Sequence, residues 1–307
     1  MKKTPITLLM LALLHGPVFA ESANISGFAD ITYTNDNDLS VFKANAEVDI
    51  SNKLSDTVSV HVDTDLAITN NENATVDGPG DSATIEQAYF ALSTPQGVTI
   101  LGGVFNNPIG WETEDAPGLY QISHGQIWGI LDQQTALYGN NIAGVAGAFA
   151  VGPVNITAGV LNDIGHNDLE TNSLALVLNA SPIAGLDLEA GYVTQEKGPT
   201  SAENVLDINA TYKFQGLTAG LEYLQADKIV DSAIGVTANY QINKMFGGTV
   251  RYDVVSYEAS GTDDTSKVTV AGTFQAAKNL LVLAEYSSFD DGNNTDDIGM
   301  LEFVANF

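Results

Sequence analysis

The sequence contains no cysteine and few basic residues. In 307 residues, 38 aspartates and glutamates stand against 11 lysines and arginines, which gives a formal net charge of −27 at pH 7. The lack of cysteine excludes disulfide frameworks, thiol catalysis and cysteine-based zinc sites, and it is typical of proteins in oxidising envelope compartments. A surface this acidic repels phosphates, so nucleic acid is not expected as a partner.

Long hydrophobic runs are also scarce, and the clearest one lies at the N-terminus. Two lysines precede an apolar stretch over 6–14, and Val18 and Ala20 supply the small residues that a signal peptidase reads. This pattern predicts a secretory signal peptide, 1–20, cleaved after Ala20. The alternative, an N-terminal membrane anchor, needs about 20 apolar residues, and this run is interrupted at 15–17.

From Asn24 onward no stretch is long and apolar enough for a transmembrane helix, so an exported chain of this kind is either soluble or a β-barrel. Periodicity favours the barrel. The segment LDINATYKF at 206–214 alternates apolar and polar residues, and so does LTAGLEY at 217–223. Only Gln215 and Gly216 separate the two segments, which is typical of a tight hairpin.

The same alternation recurs along the whole mature chain and predicts an all-β fold. The expected architecture is a transmembrane antiparallel β-barrel over 21–307, with about 16 strands (range 14–18), because closed bacterial barrels have even strand numbers. The segment 133–151 is open to division into two short strands. The predicted strands lie near 24–35, 39–50, 57–68, 83–94, 97–106, 133–151, 153–162, 171–181, 185–195, 203–214, 216–226, 232–242, 246–258, 266–276, 279–288 and 297–307.

The connections between these segments alternate between short and long, as periplasmic turns and extracellular loops do in outer-membrane barrels. The second face of the strands carries Asp, Glu, Asn, Thr, Ser and Gly, so we expect lipid outside and water inside. A soluble, secreted β-rich binding protein is the alternative with the same alternation.

Two segments resemble known outer-membrane proteins. The last strand ends on Phe307 and is similar to the C-terminal signal read by barrel-assembly machinery, although Ala305 stands where an aromatic residue is frequent. The stretches AYFAL at 88–92, GVTILGGVF at 97–105, PIGWE at 108–112 and DAP at 115–117 resemble the porin-2 type family of β-barrel porins. Val104 stands where that family commonly has lysine. The resemblance implies a passive outer-membrane channel, homotrimeric if it follows the general porins.

Strand parity assigns more acids than bases to the inner face. Eleven carboxylates against three basic side chains predict a negative lumen that enriches cations and deters anions. A wide, unselective pore in which these groups are merely solvated is the alternative. The assigned pore-lining residues are Asp30, Lys43, Glu47, Asp49, Asp63, Asp187, Glu189, Asp207, Lys213, Glu222, Arg251, Asp253, Glu285 and Glu302.

The connection 107–132 is longer than a hairpin needs, and such loops are usually functional. It is expected to fold into the channel and narrow it. Its aromatic residues suit stacking on sugar rings, or equally a place at the loop base or a trimer contact. The candidate constriction residues are Pro108, Trp111, Glu112, Glu114, Asp115, Tyr120, His124 and Trp128.

The long loops are strongly acidic, whereas lysines sit in the short turns. Carboxylates beside lipopolysaccharide phosphates repel them unless divalent cations bridge the two, so loosely bound Ca²⁺ or Mg²⁺ is expected at the outer loops. No segment fits the EF-hand pattern, and loops that are simply solvated are the alternative. The partners expected are therefore outer-membrane lipid and lipopolysaccharide, small hydrophilic solutes and cations.

An outer-membrane hydrolase is the remaining alternative. His61 shares a strand face with Asp63, and a catalytic pair would also need a nucleophile from another strand. No Gly-x-Ser-x-Gly, His-Glu-x-x-His or P-loop spacing is present. The sequence therefore predicts a channel that is not an enzyme.

Overall fold

The computed structural model describes residues 22–36, 40–68, 82–135, 140–164, 172–195, 204–258 and 262–307. In these ranges sixteen antiparallel strands form one closed barrel in which β1 pairs with β16, so the predicted fold class is confirmed. The strands are β1 Asn24–Asn35, β2 Ser40–Lys53, β3 Val58–Ile68, β4 Ser82–Ser93, β5 Thr99–Asn106, β6 Asn141–Val151, β7 Val154–Asn162, β8 Asn172–Ile183, β9 Leu186–Gln195, β10 Asn204–Phe214, β11 Leu217–Ala226, β12 Val230–Gln241, β13 Phe246–Tyr257, β14 Thr265–Ala277, β15 Leu280–Asp290 and β16 Thr295–Asn306.

Alternating side chains explain why the sheet closes. In β8, Leu174, Leu176 and Leu178 are exposed on the outer surface, while the residues between them, Ala175 and Val177, are buried inside. Every backbone group of a spanning strand needs a partner in hydrocarbon, and only a sheet without edges supplies one throughout.

All connections of more than five residues join strands at the same end of the barrel, the long-loop end. Those at the other end, the short-turn end, are 54–57, 94–98, 152–153, 184–185, 215–216, 242–245 and 278–279. The C-terminus lies at this end, where the amide of Phe307 donates to the carbonyl of Gly27 at 3.0 Å. The predicted signal peptide, 1–20, and much of the connections at the opposite, long-loop end lie outside the described residues.

The predicted strand over 133–151 is wrong in its first part. Residues Gln126–Thr135 form a helix, α1, and β6 begins only at Asn141. Ile127 and Leu131 recur at helical spacing and both are buried. Asn140 adopts a left-handed φ of 55° before β6, with its amide donating to Asp132 Oδ1 at 2.7 Å. None of the helices in the described ranges is long and apolar enough to cross a membrane.

The expectation of a uniformly polar inner face is also wrong. Near the long-loop end, inward residues of β7 to β13 such as Leu161, Val193 and Leu224 are fully buried. They form one apolar cluster with Ile127 and Leu131 of α1. The alternation gives way to apolar residues on both faces here because the inner face packs against protein instead of water.

Candidate functional site

The connection between β5 and β6 lies inside the barrel and starts from a hydrogen-bonded base. At this base the Asn107 amide donates to the carbonyl of Asn140 at 2.8 Å, and the two side chains are also bonded, at 3.2 Å. Pro108 follows directly, and a single 3₁₀ turn, Ala116–Gly118, and α1 complete the loop. We call residues 107–135 together with Asn140 the inserted loop. It crosses the lumen and contacts three parts of the wall.

The first contact is with β9 to β11 and depends on two glycines. The Trp111 amide donates to Glu222 Oε1 at 2.8 Å. A Cβ at Gly220 would lie 2.6 Å from the Trp111 ring, and a Cβ at Gly191 would lie 2.2 Å from Ile109. Only glycine leaves room for the loop to approach the wall this closely.

The second contact is a buried ionic network around Glu112. This carboxylate accepts hydrogen bonds from His124 Nδ1 at 2.7 Å, the Gly125 amide at 2.9 Å and Arg251 Nη1 at 3.0 Å. Arg251 is 1% exposed, and its Nε lies 3.0 Å from Asp253 Oδ2. Although burial alone would raise the pKa of Glu112, the His124 hydrogen bond and the Arg251 charge hold that pKa below its ordinary value.

The third contact joins the loop to β14 and β15. Glu285 accepts hydrogen bonds from the amides of Ile122 at 2.6 Å and Ser123 at 3.0 Å. Lys267 Nζ donates to Ser123 Oγ at 2.8 Å and to the His124 carbonyl at 3.2 Å. Sequence analysis missed Lys267, although the parity of β14 would have identified it because buried Thr269, two positions later, also faces inward. The basic residues of this wall therefore bind the loop.

On the opposite side of the loop lies a water-accessible space whose walls are mainly acidic. We call it the acidic channel. Its wall carries Lys43 as the one lysine among the lining residues, while the loop supplies Glu114 and Asp115. The carboxylates on its strands are Asp30, Glu47, Asp65 and Glu302. Sequence analysis did not assign Asp65, which has the same strand parity as Asp63.

Burial raises the pKa of both loop carboxylates of the acidic channel. Burial, followed by the charges of Glu86, Asp132 and Asp115, raises the pKa of Glu114 to about 9. Burial also raises the pKa of Asp115. At neutral pH Glu114 is therefore protonated, and it gains a negative charge only in alkaline solution.

Sequence analysis also missed Glu86, because a β-bulge breaks the alternation of β4. The register against β3 shifts between Val62 and Thr64, so the single residue Asp63 faces both Glu86 and Gln87. Glu86 is 4% exposed and accepts a hydrogen bond from Asn141, and Gln87 donates to Asp63. Two consecutive side chains thus point into the barrel, which a strict period of two cannot predict.

The remaining assigned residues fall into two groups. Asp187, Glu189 and Lys213 line a second space beside Trp111 and Tyr120, whose ring centroids are 6.4 Å apart. Asp207 is fully buried beside this space.

Asp49 and Asp63 lie toward the short-turn end, with His61 Nε2 2.5 Å from Asp63 Oδ1. His124 stacks on Trp128 at 3.7 Å, which places this aromatic pair within the loop fold. In the described ranges no serine or threonine hydroxyl is hydrogen-bonded to His61.

The sequence and the architecture are similar to those of known outer-membrane proteins. A sequence profile described as Gram-negative porin matches residues 7–305. No curated protein matches the sequence significantly. Among solved structures, a loop-deletion variant of OmpT, an outer membrane protein of Vibrio cholerae, is similar over 93% of this chain and 99% of its own, with 15% identity and a TM-score of 0.67.

An engineered variant of the porin of Rhodopseudomonas blastica is similar over 93% of this chain and 100% of its own, with 17% identity and a TM-score of 0.64. Identities this low establish the shared fold alone. The profile match spans almost the whole sequence and agrees with the closed sixteen-stranded barrel. The chain therefore belongs to the Gram-negative porin family and is a β-barrel of the bacterial outer membrane.

Proposed function

We propose that this porin is a passive diffusion channel for small hydrophilic solutes and that it prefers cations over anions. The observation that carries the proposal is the separation of charge across the inserted loop. Arg251 and Lys267 are bound to the loop on one side, whereas the acidic channel on the other side holds mostly carboxylates. Low-dielectric walls concentrate the field of these carboxylates, which raises the local concentration of cations.

Selection by size follows from the same arrangement. The inserted loop occupies the part of the lumen next to β9 to β15 and leaves the acidic channel beside β16 and β1 to β3 for solutes. No covalent step is involved. The alternative of a hydrolase using His61 has less support, because the described contacts of His61 are the Asp63 carboxylate and the Tyr89 ring, 5.1 Å away.

Planar-bilayer recording of the purified barrel tests conduction itself. We expect discrete conductance steps, and neutral sugars of increasing size should enter loaded liposomes at falling rates. A heat-denatured sample serves as the matched control. Folded protein that inserts into liposomes without conductance steps or sugar uptake would overturn the channel.

Four further properties belong to the proposal on sequence grounds. We propose a signal peptide over 1–20 and a barrel domain over 21–307, a homotrimer, contact of the outer loops with lipopolysaccharide, and Ca²⁺ or Mg²⁺ bound loosely there. Mass spectrometry of the mature N-terminus tests the cleavage after Ala20. Gel mobility before and after heating tests the trimer, and EDTA treatment of the envelope fraction tests the divalent cations.

A further inference from the structure

A cluster of three ligand-type side chains lies on the inner wall toward the short-turn end, outside the acidic channel. Asp49 of β2 faces Asp63 of β3 directly across the ladder, and His61 is two positions earlier on the same face of β3. One nitrogen or oxygen atom from each of the three lies within 4.8 Å of the other two. The two strands thus bring an imidazole and two carboxylates to one point.

The two carboxylates face each other across the ladder, and His61 lies beside Asp63 as the basic side chain of the cluster. Directly opposed like charges destabilise a strand pair. Ser26 Oγ donates to Asp49 Oδ2 at 3.1 Å, and Gln87 Nε2 donates to Asp63 Oδ2 at 2.6 Å. These neutral donors orient the carboxylates without adding positive charge. Within the described ranges neither aspartate forms a salt bridge with a lysine or arginine.

Asp63 supplies the second observation. Its side chain is 4% exposed, and Oδ1 accepts no hydrogen bond from the described residues. His61 Nε2 nevertheless lies 2.5 Å from that oxygen. The contact thus brings an imidazole nitrogen and a carboxylate oxygen, both of which can bind a metal ion, next to each other at a buried position. A cation that accepts an electron pair from each atom satisfies this arrangement.

The ligand types narrow the class of cation. Imidazole together with carboxylates suits first-row transition metals, whereas Ca²⁺ and Mg²⁺ prefer oxygen ligands alone. Zn²⁺ binds histidine nitrogen at about 2.0–2.1 Å and carboxylate oxygen at about 2.0–2.2 Å. His61 is 25% exposed and lines a space that includes Lys53 and Thr57 of the short-turn end.

We propose that Asp49, His61 and Asp63 bind one divalent transition-metal ion that enters from the short-turn end, with water completing its coordination. Gln87 and Ser26 act as positioning residues, since groups that hydrogen-bond to metal ligands commonly contribute about ten- to hundredfold to affinity.

The test is equilibrium binding of Zn²⁺ to the folded barrel in detergent. We expect one tightly bound Zn²⁺ per barrel, at least tenfold weaker binding in His61→Ala and Asp63→Asn, and weaker binding in Gln87→Ala. His166→Ala is the matched control for adventitious binding by histidine and should bind as the parent does. An excess of Ca²⁺ should leave the bound Zn²⁺ in place.

Equal Zn²⁺ affinity in the parent and in His61→Ala would overturn the site, and so would displacement of Zn²⁺ by equimolar Ca²⁺. Heat-modifiable gel mobility identifies the folded fraction of each variant. If His61→Ala does not fold, His61→Gln gives the same comparison with less change in volume. The binding measurement requires no conductance, so failure of this site and failure of the channel are separate results.

Discussion

The two sides of the inserted loop use charge in opposite ways. On the side of β13 to β15, Arg251 and Lys267 are enclosed by hydrogen bonds to Glu112, Ser123 and the His124 carbonyl. On the side of β16 and β1 to β3, six carboxylates and a single lysine line the acidic channel. An even distribution of the same residues would leave a more nearly neutral lumen.

The number of charges in a lumen therefore does not by itself determine the electric field there. The three bases assigned from sequence include Arg251, which is 1% exposed and paired with two carboxylates. Its positive charge is balanced by these carboxylates and holds the loop. Only Lys43 and Lys213 remain beside water among those three.

The largest loss of stability is expected from removing Arg251, the buried cation that binds the loop. In Arg251→Met, Glu112 and Asp253 lose their shared partner in a buried network. Breaking a buried ion pair costs about 3–5 kcal/mol, so the denaturant midpoint of the folded barrel should fall markedly. Lys213→Met, which removes an exposed lumen lysine, is the control. A similar midpoint for both variants would show that the network does not hold the loop.

A smaller loss of stability is expected from a larger residue where the loop packs against β11. The Cβ of Gly220→Ala would lie 2.6 Å from the Trp111 ring, and overpacking of this kind typically costs about 1–3 kcal/mol. Thermal unfolding in detergent measures the difference. Gly272→Ala is the matched control because its Cβ meets nothing within 4 Å. If the two variants unfold at the same temperature, the close approach of Trp111 contributes nothing to stability.

Neutralising carboxylates of the acidic channel should lower cation selectivity without the loss of stability expected for Arg251→Met. In the triple variant Asp30→Asn, Glu47→Gln, Glu302→Gln, the cation-to-anion permeability ratio should fall by about three- to tenfold, since charged clefts enrich counter-ions by about tenfold or more. Reversal potentials in a salt gradient measure the ratio.

The matched control neutralises three exposed aspartates around the β15–β16 connection: Asp290→Asn, Asp296→Asn and Asp297→Asn. This variant should keep the parent ratio. An equal fall in both triple variants would assign the selectivity to net charge instead of the acidic channel.

The smallest expected effect is a pH dependence that comes from Glu114. Because the pKa of Glu114 is raised to about 9, raising the pH from 7 to 9.5 adds a negative charge and should increase cation selectivity. Between about 4.5 and 9 the folded state retains a proton that the unfolded state has lost, so this group also makes unfolding easier as pH rises. Glu114→Gln should lack its share of both changes, and a parent-like response in that variant would contradict the assignment.

Much of the barrel could be predicted because its signal repeats. Alternation over segments such as 206–214 is weak alone, but a closed sheet requires it in every strand, and the predicted strand number agrees with the structure. The inner face was less predictable. Glu86 was not predicted as an inner-face residue because the bulge beside Asp63 shifts the parity of β4. Only the register between two strands reveals such a bulge.

The loop shows a second limit of sequence reasoning. Its length indicated a functional insertion, yet α1 was missed because Gln126–Thr135 is short and its apolar residues belong to a core that the barrel wall completes. The partners of Glu112 and Glu285 are distant in sequence, at separations of 139 to Arg251 and 162 to Ser123. No local pattern specifies such pairs.

The reversal potential of the parent barrel in a KCl gradient tests the central claim most directly. An inserted loop that binds the basic wall and leaves an acidic channel predicts a potential of the sign given by K⁺ permeation, at neutral pH and low salt. A conducting barrel with a zero potential, or with the sign given by Cl⁻ permeation, would contradict the account.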